Sequence, residues 1–307
     1  MAENFAFIFN LLKYKGELPR KVIPGITFNK AEQTQFREIL RFLAGDGKMG
    51  QIGGLQIYTV RSRSQKPKGG WSYEKLPSNE VVFWVLNSEK ATSFKDLEIP
   101  FLLITPEIEW GASFTKGSSN RHLQKTFQFF HSNLYPIHSV IEDSNFDEVA
   151  ELHALMKNPV GSKLEVNAMI TRVLQNFASS RNWVRQGHSA LLNHFGLIEA
   201  LITHKPEVGL DSLVHQVSTK MPLLSRRFRN PVDPTEFFKI TDPEKIWKKL
   251  YEVRSAFAHG GMVDFKQGQL SQLVDFQSVE RFVYLSLKSL LKQALREPDL
   301  IFDLKSC

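Results

Sequence analysis

From Ser144 onward the apolar residues recur at helical spacing in segment after segment, and no other feature limits the fold as tightly. Spacing near 3.6 gives each helix one apolar face, and helices joined by short links bury those faces by packing as a bundle. Ser144 or Asn145 can cap a first helix running through Lys157, which Asn158 and Pro159 end. Residues 162–180 form a second, with Val166, Met169, Ile170, Val173 and Phe177 as its stripe. Residues 187–203 form a third, broken by Lys205 and Pro206, and residues 211–224 a shorter fourth. Residues 225–240 read as a loop carrying Arg226, Arg227 and Arg229. A helix ending near Gly260 and a long one over residues 276–295 bring the set to five or six.

The chain before Ser144 follows a different period. Leu55, Ile57 and Thr59 alternate with Tyr58 and Val60 as in a half-buried strand. Residues 81–86 and 101–105 are short continuous apolar runs, read as buried strands, and residues 108–114 can form another. Residues 5–14 fit a strand or a helix equally. Pro24-Gly25 is a turn signal, and Asn29 can cap a helix over residues 30–43. Gly45, Gly47 and Gly50 spell G-x-G-x-x-G, but after a helix and before a strand. A dinucleotide site needs the reverse order, so this is a turn. Arg61, Arg63, Lys66 and Lys68 lie near Trp71 and Tyr73; these residue types suit nucleic acid, yet a solvated hairpin explains them as well. The chain therefore reads as α+β: a mixed domain with a mainly antiparallel sheet over residues 1–140, and an all-α bundle over residues 141–307.

Within the helical part, residues 247–261 (WKKLYEVRSAFAHGG) gather the groups that can do chemistry. Thr241 to Glu244 has capping-box spacing, with Pro243 in the first turn. Ile246, Leu250, Val253 and Phe257 make one apolar stripe, and Gly260-Gly261 is a stop. Arg254 and His259 stand about 140° apart on an ideal helix, so they converge only through a distorted last turn, the reach of Arg254, or a second subunit. On the third helix Leu191, Leu192, Phe195, Ile198 and Ile202 define the buried side, and Glu199 falls inside it. A carboxylate there needs a partner, and the planar guanidinium of Arg254 is the most economical one. An ion pair that only fixes the bundle accounts for the same residues.

The stretch LYEVRSAFAHGG resembles the Arg-x4–6-His signature of HEPN domains, most nearly the ApeA-type branch, which often has a Tyr shortly before the Arg and a His-Gly close. HFGLIEALIT, residues 194–203, resembles that branch's apolar helix with one embedded Glu. The likeness covers roughly the C-terminal half of the chain. It implies a HEPN-like helical bundle that works as a homodimer and cleaves RNA without a metal, leaving 2′,3′-cyclic phosphate and 5′-hydroxyl ends, in a bacterial defence or toxin role. His259 would be the general base or acid and Arg254 would hold the scissile phosphate. Glu199, Tyr251 and Ser255 would support them. Arg226, Arg227 and Arg229 would bind the RNA backbone, unless they belong to a merely solvated loop. Many active members carry Asn, Asp or His directly after the Arg; here Ser255 supplies only a neutral hydrogen bond. The alternative is a non-catalytic HEPN scaffold for dimerisation or RNA binding.

Composition narrows the other classes. The net charge of +7 favours a polyanionic partner without requiring one. The one cysteine, Cys307, excludes a disulfide framework within these residues and fits a reducing compartment, so a cytoplasmic protein is expected. No apolar run approaches the ~20 residues that span a bilayer. The opening MAENFAFIFNLLKYKG lacks a signal-peptide pattern. His194, His204 and His215 lack ligand spacing, and there is no HExxH or phosphate loop, so neither a metal nor a cofactor is expected.

Overall fold

The computed structural model describes residues 4–8, 12–44, 58–61, 72–75, 82–88, 91–115, 118–121, 139–161, 163–183, 187–206 and 212–307. Two compact units emerge, Met1–His153 and Ala154–Cys307. The architecture is α+β, with an antiparallel sheet in the first unit and helices in the second.

The strands of the first unit are β1 (Asn4–Ile8), β2 (Leu12–Lys15), β3 (Arg20–Ile23), β4 (Ile26–Lys30), β5 (Tyr58–Arg61), β6 (Ser72–Lys75), β7 (Trp84–Ser88), β8 (Trp110–Thr115), β9 (Ser118–Arg121) and β10 (Ser139–Glu142). Six of them form one sheet in the order β3-β4-β7-β1-β8-β9, with every pairing antiparallel. All five residues of β1 are buried, as its central place in the sheet requires. Its Phe5 stacks on Phe114 of β8 at 4.5 Å. Pro24 and Gly25 make the turn between β3 and β4, with Gly25 at φ 81°. Helix α1 spans Gln33–Ala44 and α2 spans Glu98–Leu103. Helix α3, Asp143–Lys157, follows β10 directly, and β10 pairs in parallel with β2. Phe146 of α3 packs on Phe28 and Tyr14, which is why the first unit extends past residue 140 to His153.

Several sequence expectations shift here. Of residues 5–14, those described lie in two strands, β1 and β2, not in a helix. Residues 101–103 are helical although read as a strand. A short apolar run has no periodicity to separate the two, and Pro100 sits in the first turn of α2, where its missing N–H costs little. Asn29 lies in β4 and accepts from the Lys30 N–H, so it caps nothing; α1 begins only at Gln33. Asn145 is likewise inside α3 and accepts from the Glu142 N–H. Strands β5 and β6 pair as a hairpin, but Gly45 to Gly50, Arg63, Lys66, Lys68 and Trp71 lie outside the described residues.

The second unit contains α4 (Leu164–Trp183), α5 (His188–Ile202), α6 (Leu213–Ser225), α7 (Pro243–Ala258), α8 (Phe276–Arg296) and α9 (Pro298–Ser306). Helix α5 is its hub, touching each of the other five. Leu191, Phe195, Ile198 and Ile202 of α5 are fully buried. A helix enclosed this way is apolar round most of its circumference, so a charged residue on it is conspicuous. Sequence reading stopped at residue 295. The chain instead turns at Glu297 and starts α9 with Pro298 at its first position, where proline ends one helix and begins the next. Among the described residues no helix is long and apolar enough to cross a membrane.

Candidate functional site

Helix α7 is built by its two ends. Asp242, not Thr241, is its cap: the carboxylate accepts from the N–H groups of Glu244 and Lys245. Aspartate directly before Pro243 puts the acceptor one residue closer to the first free N–H groups than a Thr-to-Glu box would. Those backbone bonds hold the Asp242 carboxyl below its usual range. At the other end Gly260 adopts φ 73°, its N–H bonds to Phe257 O at 3.1 Å, and the Gly261 N–H bonds to Ala256 O at 2.8 Å. This pair of bonds is the Schellman close, and it leaves His259 as the last residue before the chain turns away.

Glu199 and Arg254 meet as the charge argument requires. Arg254 Nη2 donates to Glu199 Oε2 at 3.4 Å, and Nε lies 3.3 Å from Oε1. The second pair attracts as ions but is not aligned as a hydrogen bond, although both atoms are buried. The Arg254 side chain is 26% exposed and that of Glu199 15%, so the pair is half-buried, not sealed as the apolar stripe predicted. The guanidinium also lies over the Tyr251 ring, 5.3 Å from its centroid. Burial, then the Glu199 carboxylate, pushes the Tyr251 hydroxyl up to about 12, with Arg254 pulling the other way. A hydrogen bond between that hydroxyl and Glu199 adds to the rise. Glu199 thus holds one edge of the Arg254 fork. Among the described residues nothing bonds to Nη1.

The other candidates separate. His259 is exposed, and among the described residues no hydrogen bond, ion pair or ring contact joins its side chain to Arg254 or to any other group. Helix α7 keeps its hydrogen bonds to the end, so the two residues stay on different faces of it. Ser255 spends its carbonyl on the His259 N–H at 3.2 Å. Arg227 makes a bidentate pair with Glu297, at 2.9 and 2.7 Å, tying the loop after α6 to the α8–α9 junction. Arg226 and Arg229 are exposed. His204 bonds to Lys305 O and the His215 N–H to Ser212 Oγ. Among the described residues no three His, Cys, Asp or Glu are grouped to hold a metal ion.

Sequence reading missed two features beside α7. His188, Phe257 and Phe276 form a ring cluster drawn from three helices, which no local spacing reveals. At the opposite end of α7, Lys239, Lys245 and Lys249 line an open cleft of about 590 Å³ together with Asp242 and Gln269.

These features define an α+β protein whose helical unit carries an exposed histidine and a braced arginine on one helix. In comparisons with protein-family models, with curated proteins and with solved structures, the chain shows no significant match.

Proposed function

We propose that the protein is a cytoplasmic endoribonuclease of the HEPN type, working without a metal as a homodimer in bacterial defence or as a toxin. The observation that carries this reading is the division of labour on α7. Arg254 is held by Glu199 and Tyr251 yet keeps Nη1 for a ligand, while His259 is left unbonded on the next turn. Imidazole exchanges protons near neutral pH, which suits general acid–base work. In the proposed reaction His259 removes the proton of an RNA 2′-hydroxyl. The freed oxygen attacks the adjacent phosphorus, and the bond to the 5′-oxygen of the next nucleotide breaks. Arg254 stabilises the negative charge that builds on the phosphoryl oxygens. The products are a 2′,3′-cyclic phosphate and a 5′-hydroxyl, the leaving oxygen taking its proton from water or from the imidazolium of the second copy. A second copy brings its own Arg–His pair beside the first, which removes the need for the two residues to share a face.

A scaffold for dimerisation or RNA binding is the second reading. It is favoured by Ser255 and by the ion pair that already occupies one edge of Arg254. Cleavage of RNA in EDTA separates the two. The ribonuclease reading expects the wild-type chain to cut and His259→Ala to lose at least a hundredfold in rate with its melting temperature kept. RNA bound but uncut by both chains supports the scaffold.

A further inference from the structure

The proposed reaction leaves the ring cluster beside α7 unused. The His188 ring lies flat on Phe257, with centroids 3.8 Å apart and planes 15° apart. Phe276 meets both rings edge-on, 4.9 Å from His188 and 5.6 Å from Phe257. The rings come from the first residue of α5, the last turn of α7 and the first residue of α8.

A side chain in the first turn of a helix has no automatic seat, and here three devices supply one. Gly187 sets the start of α5 at φ 95° and ψ −174°, a conformation reserved almost wholly for glycine. Its N–H donates to Glu280 Oε1 of α8 at 2.5 Å, which fixes α5 against α8 at this point. Burial raises the Glu280 carboxyl above its usual range, against the pull of that N–H and of His188. On the α8 side Val274 takes φ 68° and ψ −71°, and Asp275 N–H bonds back to Leu273 O at 2.8 Å. A β-branched residue rarely adopts positive φ, and it does so here one residue before the cap that launches Phe276. His188 is exposed as the outer layer, with the two half-buried Phe rings behind it.

Phe257 follows Arg254 by three residues, so the two are neighbours on the helix surface, with Cβ atoms about 5–6 Å apart. His188 lies one ring layer beyond Phe257, with centroids 3.8 Å apart, so its outer face and Arg254 lie along the same side of the bundle. We propose that His188, backed by Phe257 and Phe276, is a stacking platform for one nucleobase of single-stranded RNA, a nearby phosphate of which lies on Arg254. The proposal rests on the ribonuclease reading for its phosphate position and adds the substrate class to it. A base inside a duplex cannot offer its face to a ring, so the target is an unpaired loop or end. The net charge of +7 supplies general attraction to such a strand but no choice of site.

The test uses the full-length His259→Ala chain and single-stranded RNA oligonucleotides that carry 2-aminopurine at each position in turn. Stacking on His188 quenches the fluorophore at one register. Adding His188→Ala removes that quench and weakens binding about ten- to hundredfold, whereas adding His188→Phe, which keeps a flat ring, restores both. Thermal melts of each chain separate loss of stacking from loss of fold. Tight RNA binding with no position quenched, unchanged binding by the His188→Ala chain, or no rescue by Phe overturns the platform and leaves the ribonuclease reading intact. Failure of the His259→Ala chain to bind RNA at low salt overturns both.

Discussion

Glu199 is the residue on which the site's geometry turns. Its carboxylate is the partner that keeps a partly buried guanidinium satisfied, so removing it leaves Arg254 only the face of the Tyr251 ring. Full burial of the pair would make the loss 3–5 kcal/mol. With a quarter of the Arg254 side chain exposed and one contact unaligned, Glu199→Ala is expected to cost about 2 kcal/mol in urea denaturation. A midpoint unchanged within error would mean that water replaces the carboxylate and that the pair orients nothing. The Tyr251 hydroxyl makes the stability of the fold depend on pH. Its folded-state value near 12 lies above the ordinary value of 10, so the neutral hydroxyl is the form that stabilises the fold. That contribution is complete below pH 10 and is lost as pH rises from 10 to 12. The stability difference between wild type and Tyr251→Phe is therefore flat up to pH 10 and shrinks above it. Tyr14, also pushed up to about 12 by burial and by its bond to Asp143, serves as the unaltered late-titrating group in a phenolate absorbance titration.

Helix α7 shows what the sequence disclosed and what it hid. Its apolar stripe, the glycine stop and the meeting of Glu199 with Arg254 were legible, because each follows from spacing or from the charge rule for buried carboxylates. Its cap was misplaced by one residue. Thr241 and Asp242 are both good caps, and the backbone geometry that selects Asp242 is not written in the residue types. Melting of two variants checks this directly. Asp242→Ala lowers the melting temperature and exposes the first N–H groups of α7, and Thr241→Ala leaves it nearly unchanged. The reverse order would restore the Thr241 cap. Other elements were illegible for nameable reasons. Residues 101–103 are too few to show a period, and α9 hides behind the Pro298 that ends the pattern of α8. The platform of His188, Phe257 and Phe276 joins residues from three helices, and only the folded bundle brings them together.

The whole molecule has an α+β fold that sequence period made readable, and the proposed reaction rests on one helix of its second unit. In the proposed reaction the basic charge draws RNA in, the braced Arg254 takes a phosphate, and His259 moves the proton. The nucleophile fixes the chemistry at the cut. Attack by the strand's own 2′-oxygen must leave a cyclic phosphate, whereas attack by water at the 3′-oxygen bond leaves a 3′-hydroxyl and a 5′-phosphate. Mass spectrometry of the fragments made in EDTA by the wild-type chain reads this most directly. Cleavage by Arg254 and His259 yields 2′,3′-cyclic phosphate and 5′-hydroxyl ends that disappear with His259→Ala; 5′-phosphate ends, or the same cut made by the variant at full rate, would overturn the proposed reaction.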